Sequence, residues 1–140
     1  ALMDVMLVTE EPARISEYEI RTEQESSTPA VVDQVRADGV VAATPIGSAG
    51  YASAAGGPIV DPSLFAVSIV PVGPFRIEPL HWLLQLPVSL EMVREEVPVT
   101  LLIDDKEVGN VACDTPVRLS EGRTFQFLKT AVSDSFFEND

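Results

Sequence analysis

Lysine is nearly absent from this chain. Lys106 and Lys129 are the only two, and nine basic residues in all stand against 22 acids, for a formal net charge of −13 over 140 residues. Lys and Arg supply the affinity of nonspecific nucleic-acid binding by neutralising phosphates, so this balance argues against a nucleic-acid partner. Cysteine is scarcer still. Cys113 is alone, which excludes an internal disulfide and offers no cysteine metal site. His81 is the one histidine, so a multi-histidine metal cluster is excluded and a structural role is expected for it. No apolar run approaches the ~18–20 residues that span a bilayer. No basic stretch leads into an apolar one as in a secretory signal. A GxxxxGK[ST] phosphate loop is missing too. The expected setting is cytoplasmic, with no membrane partner.

What is present is a chain able to fold. Hydrophobic residues make up 46% of it, well above the level of disordered segments, and 140 residues suffice for one domain with a proper core. The acid excess admits two readings. It fits an origin in a high-salt cytoplasm, where salt screens the repulsion among surface carboxylates. It also fits an ordinary acidic protein.

Read in order, the chain alternates short β-type runs with turns. Residues 1–8 read as a strand, with Asp4 its one charge. In Glu17 to Glu23, Tyr18 and Ile20 fall on one face and Glu17, Glu19 and Arg21 on the other, as in a half-buried strand. Glu23 to Pro29 reads as a hairpin loop. Ala30 to Ala43 forms one strand or two, with Asp38-Gly39 as the turn signal. Further strands are expected at Phe65 to Val72, Leu83 to Leu86, Val88 to Met92, Val97 to Ile103, Val108 to Cys113, Pro116 to Leu119 and Thr124 to Leu128. Asp104-Asp105-Lys106 and Glu121-Gly122 supply turns. Trp82 reads as a core or interface anchor rather than a platform for a base. Strands at about 8–12-residue spacing with turn residues between them predict an all-β, antiparallel sandwich. One short helix, about Gly50 to Ala55, is expected beside its central loop. There is no internal repeat.

The chain is organised around Asp38 to Pro62, DGVVAATPIGSAGYASAAGGPIVDP. A short apolar run ends at Thr44-Pro45, passes through Gly47-Ser48, and leads to a small-residue segment closed by Gly56-Gly57-Pro58. Tyr51 is the only large side chain between Gly47 and Gly57. One aromatic among small residues can form a stacking platform with open backbone beside it. The same composition also suits a tight strand–turn–helix corner whose tyrosine simply packs.

This stretch resembles the signature of the C-terminal domain of the NAD kinases, the ATP- or polyphosphate-NAD kinase family. The family pattern is roughly DG, four residues, TPTGSTAY, two residues, SAGGPI, and the chain follows it without a gap from Asp38 to Pro58. ALMDV at the start is similar to the family's N-[E/D] motif, and the Phe pair near the C-terminus to the family's end. The resemblance implies a β-sandwich, which agrees with the strand spacing. It also implies a site for NAD formed by Asp4, Asp38, Thr44, Gly47, Ser48, Tyr51, Ser53, Gly56 and Gly57. In that implied site Asp4 and Asp38 hold ribose or amide groups and Tyr51 lies against the nucleotide, while Ser48 and Ser53 line the pocket. The implied activity is phosphorylation of the 2′-hydroxyl of the NAD adenosine ribose, with ATP or polyphosphate and Mg2+ as donor. Self-association as a dimer or tetramer is implied as well.

Two features temper the resemblance. The family holds its donor phosphates, and its catalytic acid, on a G-G-D-G motif in an N-terminal α/β domain, and neither that motif nor a βαβ pattern occurs here. The chain therefore reads as a single acceptor-binding domain, residues 1–140, with no catalytic residue and no metal ligand of its own. The second feature is a set of departures. Met3 stands where the family has Asn and cannot supply its hydrogen bonds, Ile46 and Ala49 replace threonines, and Gly50 replaces alanine. These leave open a non-catalytic nucleotide-binding or oligomerisation module derived from the family.

Overall fold

A computed structural model describes residues 1–11, 14–23, 30–75, 80–94 and 98–123. The elements run β1 (Asp4–Thr9), β2 (Ser16–Thr22), β3 (Ala30–Ala37), β4 (Gly39–Ala43), a 3-10 turn (Gly47–Ala49), α1 (Tyr51–Ala54), β5 (Val67–Val72), β6 (Trp82–Leu84), β7 (Val88–Met92), β8 (Val99–Ile103), β9 (Lys106–Val111) and β10 (Val117–Leu119). They build two antiparallel sheets, ordered β6-β5-β4-β1-β8-β9 and β10-β7-β2-β3. The all-β sandwich with one short helix is therefore observed. The loop expected at Glu23 to Pro29 lies almost wholly outside the described residues, and the strand expected at Thr124 to Leu128 entirely so.

Alternation sets which face of each strand turns inward. Leu7, Val40, Ala42, Val67, Ile69 and Val99 of the six-stranded sheet meet Tyr18, Ile20, Val35, Ala37, Val88, Leu90 and Met92 of the other. Burying each such aliphatic side chain contributes about 1.5–3 kcal/mol relative to leaving it in water. Trp82 packs against this core from the edge strand. The six-stranded sheet is covered on its outer face as well. There Val41, Ala43 and Val70 pack with Ala52 of α1, so β4 is buried along its whole length. Residues buried on both faces read as a continuous apolar run rather than an alternating one, and Val40 to Ala43 does.

One expectation of the sequence is corrected here. Asp38-Gly39 is not a hairpin turn, because β3 and β4 do not pair with each other. β3 pairs with β2 in one sheet, and β4 pairs with β1 and β5 in the other. Asp38 stands where the chain crosses between the sheets. Its N–H donates to Val72 O at 2.9 Å and its carbonyl accepts from Thr9 N–H at 2.8 Å. Its charge also reaches the buried Tyr18, whose phenol is held above its ordinary value by burial first and by Asp38 second.

The outer face of the smaller sheet is charged. Glu19 and Glu91 sit directly opposite each other on β2 and β7, and both are buried. Arg21 joins them, with its Nε 2.9 Å from Glu19 Oε1 and its Nη2 3.2 Å from Glu91 Oε2. Gln34 Nε2 donates to Glu19 Oε2 at 3.4 Å. On the same face Glu23 accepts from Ser89 Oγ and Arg118 Nε. The hydrogen bond from Arg21 holds the Glu19 carboxyl below its usual range.

Candidate functional site

Three segments meet at the end of the sandwich where β1 begins and β4 ends. The first is residues 2–4, entering β1. The second is the corner that follows β4, from Thr44 through α1. The third is the Asp104-Asp105 turn joining β8 to β9, in which both residues have positive φ, 48° and 68°. Two consecutive positive φ values suit a two-residue hairpin, and Asp tolerates them.

Thr44 fastens the corner to the entering strand. Its N–H donates to Met3 O at 2.9 Å. Its hydroxyl donates to Leu2 O at 2.7 Å and accepts from Gly47 N–H at 3.1 Å. Gly47 then passes so close to Met3 that an added Cβ would lie 1.9 Å from Met3 O. Ser48 is fully buried. Its hydroxyl donates to Pro45 O at 2.6 Å and accepts from Val60 N–H at 2.8 Å, which ties the start of the corner to its return. The chain turns away two residues past α1 at Gly56, where φ is +93°, a conformation open to glycine at little cost. Gly57 follows, with its N–H donating to Ala52 O at 2.8 Å.

A cleft of about 690 Å³ opens beside these segments. Asp4, Thr44 and Ile46 line it from the six-stranded sheet's end, Val117 and Leu119 from β10, and Phe65 from the loop before β5. The Asp4 carboxyl is half-buried there and held above its ordinary value, by burial first and by the nearby Asp104 and Asp105 second. The walls are mainly apolar, with few polar groups converging, which is the usual make-up of a small-molecule site. No three His, Cys, Asp or Glu side chains among the described residues converge to hold a metal.

The nine candidate residues divide into three groups. Asp4 and Thr44 line the cleft. Gly47, Ser48, Tyr51, Ser53, Gly56 and Gly57 form the adjoining corner. Within it Tyr51 is 47% exposed, and Ser48 spends both hydrogen bonds on backbone rather than facing the cleft. Asp38 stands apart, at the other end of β4. Ala43 pairs with Asp4 and Gly39 with Val8, which puts Asp38 about 17 Å along the strand from the Thr44 end.

Asp104 reads in sequence only as a turn residue, yet it organises the site. Its Oδ2 accepts from Leu2 N–H at 2.8 Å, and its Oδ1 accepts from Met3 N–H at 2.7 Å and Asp4 N–H at 3.1 Å. Its own N–H donates to Asp4 O at 3.0 Å. Burial by itself would raise this carboxyl, but the three backbone donors outweigh that and hold it below its ordinary value. The only sequence signal was an Asp in a two-residue turn. Its partners lie about a hundred positions away.

The chain is similar to proteins of known family. It is 31% identical over 141 residues to the NAD kinase of Methanosarcina barkeri, covering 98% of this chain and 48% of that protein. To the NAD kinase of Methanosarcina mazei it is 29% identical over 139 residues, covering 98% and 46%. The chain thus spans about half the length of these relatives. Among solved structures, an NAD kinase from Archaeoglobus fulgidus in complex with ATP superposes with a TM-score of 0.65 at 27% identity, covering 86% of this chain and 49% of that one. Yeast NADH kinase complexed with NADH superposes with a TM-score of 0.69 over 81% of this chain and 32% of that one, and at 24% identity this likeness shows the fold alone. The ATP-NAD kinase C-terminal domain family matches residues 2–125, and the chain belongs to that family.

Proposed function

We propose that this chain is the acceptor-binding domain of an NAD kinase and seats NAD at the cleft beside Asp4 and Thr44. The observation that supports this reading most directly is the juxtaposition of the family's signature corner with a mainly apolar cleft that the Asp4 carboxylate lines. Asp4 accepts from ribose hydroxyls, the apolar walls take a ring, and exposed Tyr51 packs against the nucleotide at the rim. The reaction places a phosphoryl group on the 2′-hydroxyl of the adenosine ribose. Its donor, ATP or polyphosphate with Mg2+, and its catalytic acid belong to the other half of a longer kinase. What this chain contributes is orientation of the acceptor hydroxyl, which lowers the entropic part of the barrier.

Replacing Tyr51 with Ala should weaken NAD affinity about tenfold, as expected for loss of one stacked ring, and leave the melting temperature nearly unchanged. Calorimetric titration against NAD checks this, and unchanged affinity removes Tyr51 from the site. Formation of NADP by the natural protein tests the activity itself. NAD binding without NADP formation would favour the alternative, a non-catalytic nucleotide-binding or assembly module, for which Met3, Ile46 and Ala49 speak. A contact from Asp38 to the dinucleotide would have to come from the far end of β4.

The working setting proposed is a cytoplasmic homodimer or homotetramer. No helix among the described residues is long and apolar enough to cross a membrane. The net charge of −13 supports a halophilic protein. Its melting temperature should then rise steeply between low salt and molar KCl as screening relieves carboxylate repulsion. A flat salt dependence rejects that adaptation.

A further inference from the structure

Asp104 makes four hydrogen bonds to the segment that enters β1, and three of them use its carboxylate. On the opposite side of that segment Thr44 binds the carbonyls of Leu2 and Met3, and Gly47, whose N–H donates to the Thr44 hydroxyl, packs closely against Met3. Residues 2–4 are thus clamped between the Asp104 turn and the signature corner. The Asp4 carboxylate is carried on this clamped segment into the cleft. A strand end held only by its ladder would fray, because its first residues have no further partner along the strand. Here the N–H groups of Leu2 and Met3, which lie before β1 begins, are all taken by one side chain.

We infer that Asp104 is a positioning residue for nucleotide binding: its carboxylate fixes residues 2–4 so that Asp4 is presented to the acceptor ribose. The inference rests on the reading that the cleft takes NAD. Asp104 does not itself line the cleft among the described residues and acts through Asp4. Its charge also bears on Asp4. Asp104 and Asp105 face Asp4 from the hairpin turn, Arg118 and Glu121 lie on other walls of the cleft, and the Thr44–Ile46 wall brings no charge.

The test is Asp104→Asn. Asparagine tolerates the positive φ at this position but has one acceptor oxygen in place of two and no charge. NAD affinity in the natural protein should fall about tenfold or more. The pH midpoint at which affinity is lost on acidification, set by Asp4, should move down toward an ordinary carboxylate. Backbone hydrogen exchange at residues 2–4 should speed up, while β2 and β7 keep their protection. Unchanged affinity together with an unchanged midpoint overturns the inference. So does a loss of affinity with neither the midpoint nor the exchange altered, because Asp104 would then act by another route. If the unaltered protein does not bind NAD at all, the functional reading fails on its own. The inference is then decided by the carbon-13 titration of the Asp4 carboxyl and by exchange at residues 2–4: a lowered midpoint with faster exchange in the variant supports positioning, and identical behaviour refutes it.

Discussion

Gly47→Ala should lower stability by about 2–4 kcal/mol, the upper range for overpacking combined with lost hydrogen bonds. The added Cβ would lie 1.9 Å from Met3 O, 2.5 Å from Met3 C and 2.9 Å from Met3 Cα. All three atoms are backbone, so no rotamer change relieves the clash. The chain must move apart by more than an ångström. The carbonyl displaced is the one that accepts from Thr44 N–H and from the Thr44 hydroxyl, at 2.9 and 3.1 Å. Gly47 N–H in turn donates to that hydroxyl, so the three bonds loosen together. Asp4, one residue beyond Met3, moves with it, and NAD affinity should fall alongside stability. Gly122→Ala is the control, because an added Cβ there meets nothing within 4 Å, and its effect should stay within about 0.5 kcal/mol. Urea unfolding of the two variants reads the difference. Equal midpoints would mean that residues 2–4 yield freely and that the corner is not rigid.

Arg21→Met should cost about 1–3 kcal/mol, and the cost should depend on pH. The substitution leaves Glu19 and Glu91, at 7% and 9% exposure, facing each other across β2 and β7 with no bridging cation. Removing one partner of a core ion pair is strongly destabilising, while exposed pairs are worth little. These carboxylates are covered by their own neighbours on a sheet face rather than sunk between the sheets, and the Arg21 side chain is 36% exposed. The expected cost therefore falls between the two limits. The Glu19 carboxyl is depressed in the folded protein, so its pairing contributes stability that is fully present above the ordinary value of 4.5 and is lost as pH falls through the lower folded value. The variant has no such pairing to lose, and protonation of Glu19 relieves its repulsion with Glu91. The gap between wild type and variant should therefore be widest near neutral pH and should narrow below pH 4.5. A gap independent of pH across that window would show that Arg21 acts through its aliphatic stem, by packing.

Much of this protein was legible without coordinates because the signals were local. Period-two alternation at Glu17 to Glu23 placed Tyr18 and Ile20 inside and Glu19 and Arg21 outside, and the structure agrees. The apolar run Val40 to Ala43 read as part of a strand, and β4 lies there. The small residues after Thr44-Pro45 announced the corner and its helix to within a residue or so. These follow from side-chain geometry within a few positions, so composition and spacing determine them.

The rest depended on pairing across the chain. Asp38-Gly39 has the composition of a hairpin turn, but a hairpin requires β3 and β4 to be neighbours, and each found other partners in a different sheet. That choice was made by β1, β2 and β5, and it carried Asp38 away from the other candidate residues. Ser48 reads in sequence as a hydroxyl available to a ligand, but the return of the chain at Val60 buries it and takes its acceptor. Asp104 reads as a turn residue, and only the antiparallel register of β1 with β8, Val5 opposite Ile103, brings its carboxylate against the N–H groups of residues 2–4. The sequence by itself determined a sandwich with a glycine-rich corner. The tertiary structure decided which side chains reach the cleft, because a backbone donor or acceptor is indifferent to distance along the chain and binds whatever the sheet registers set beside it.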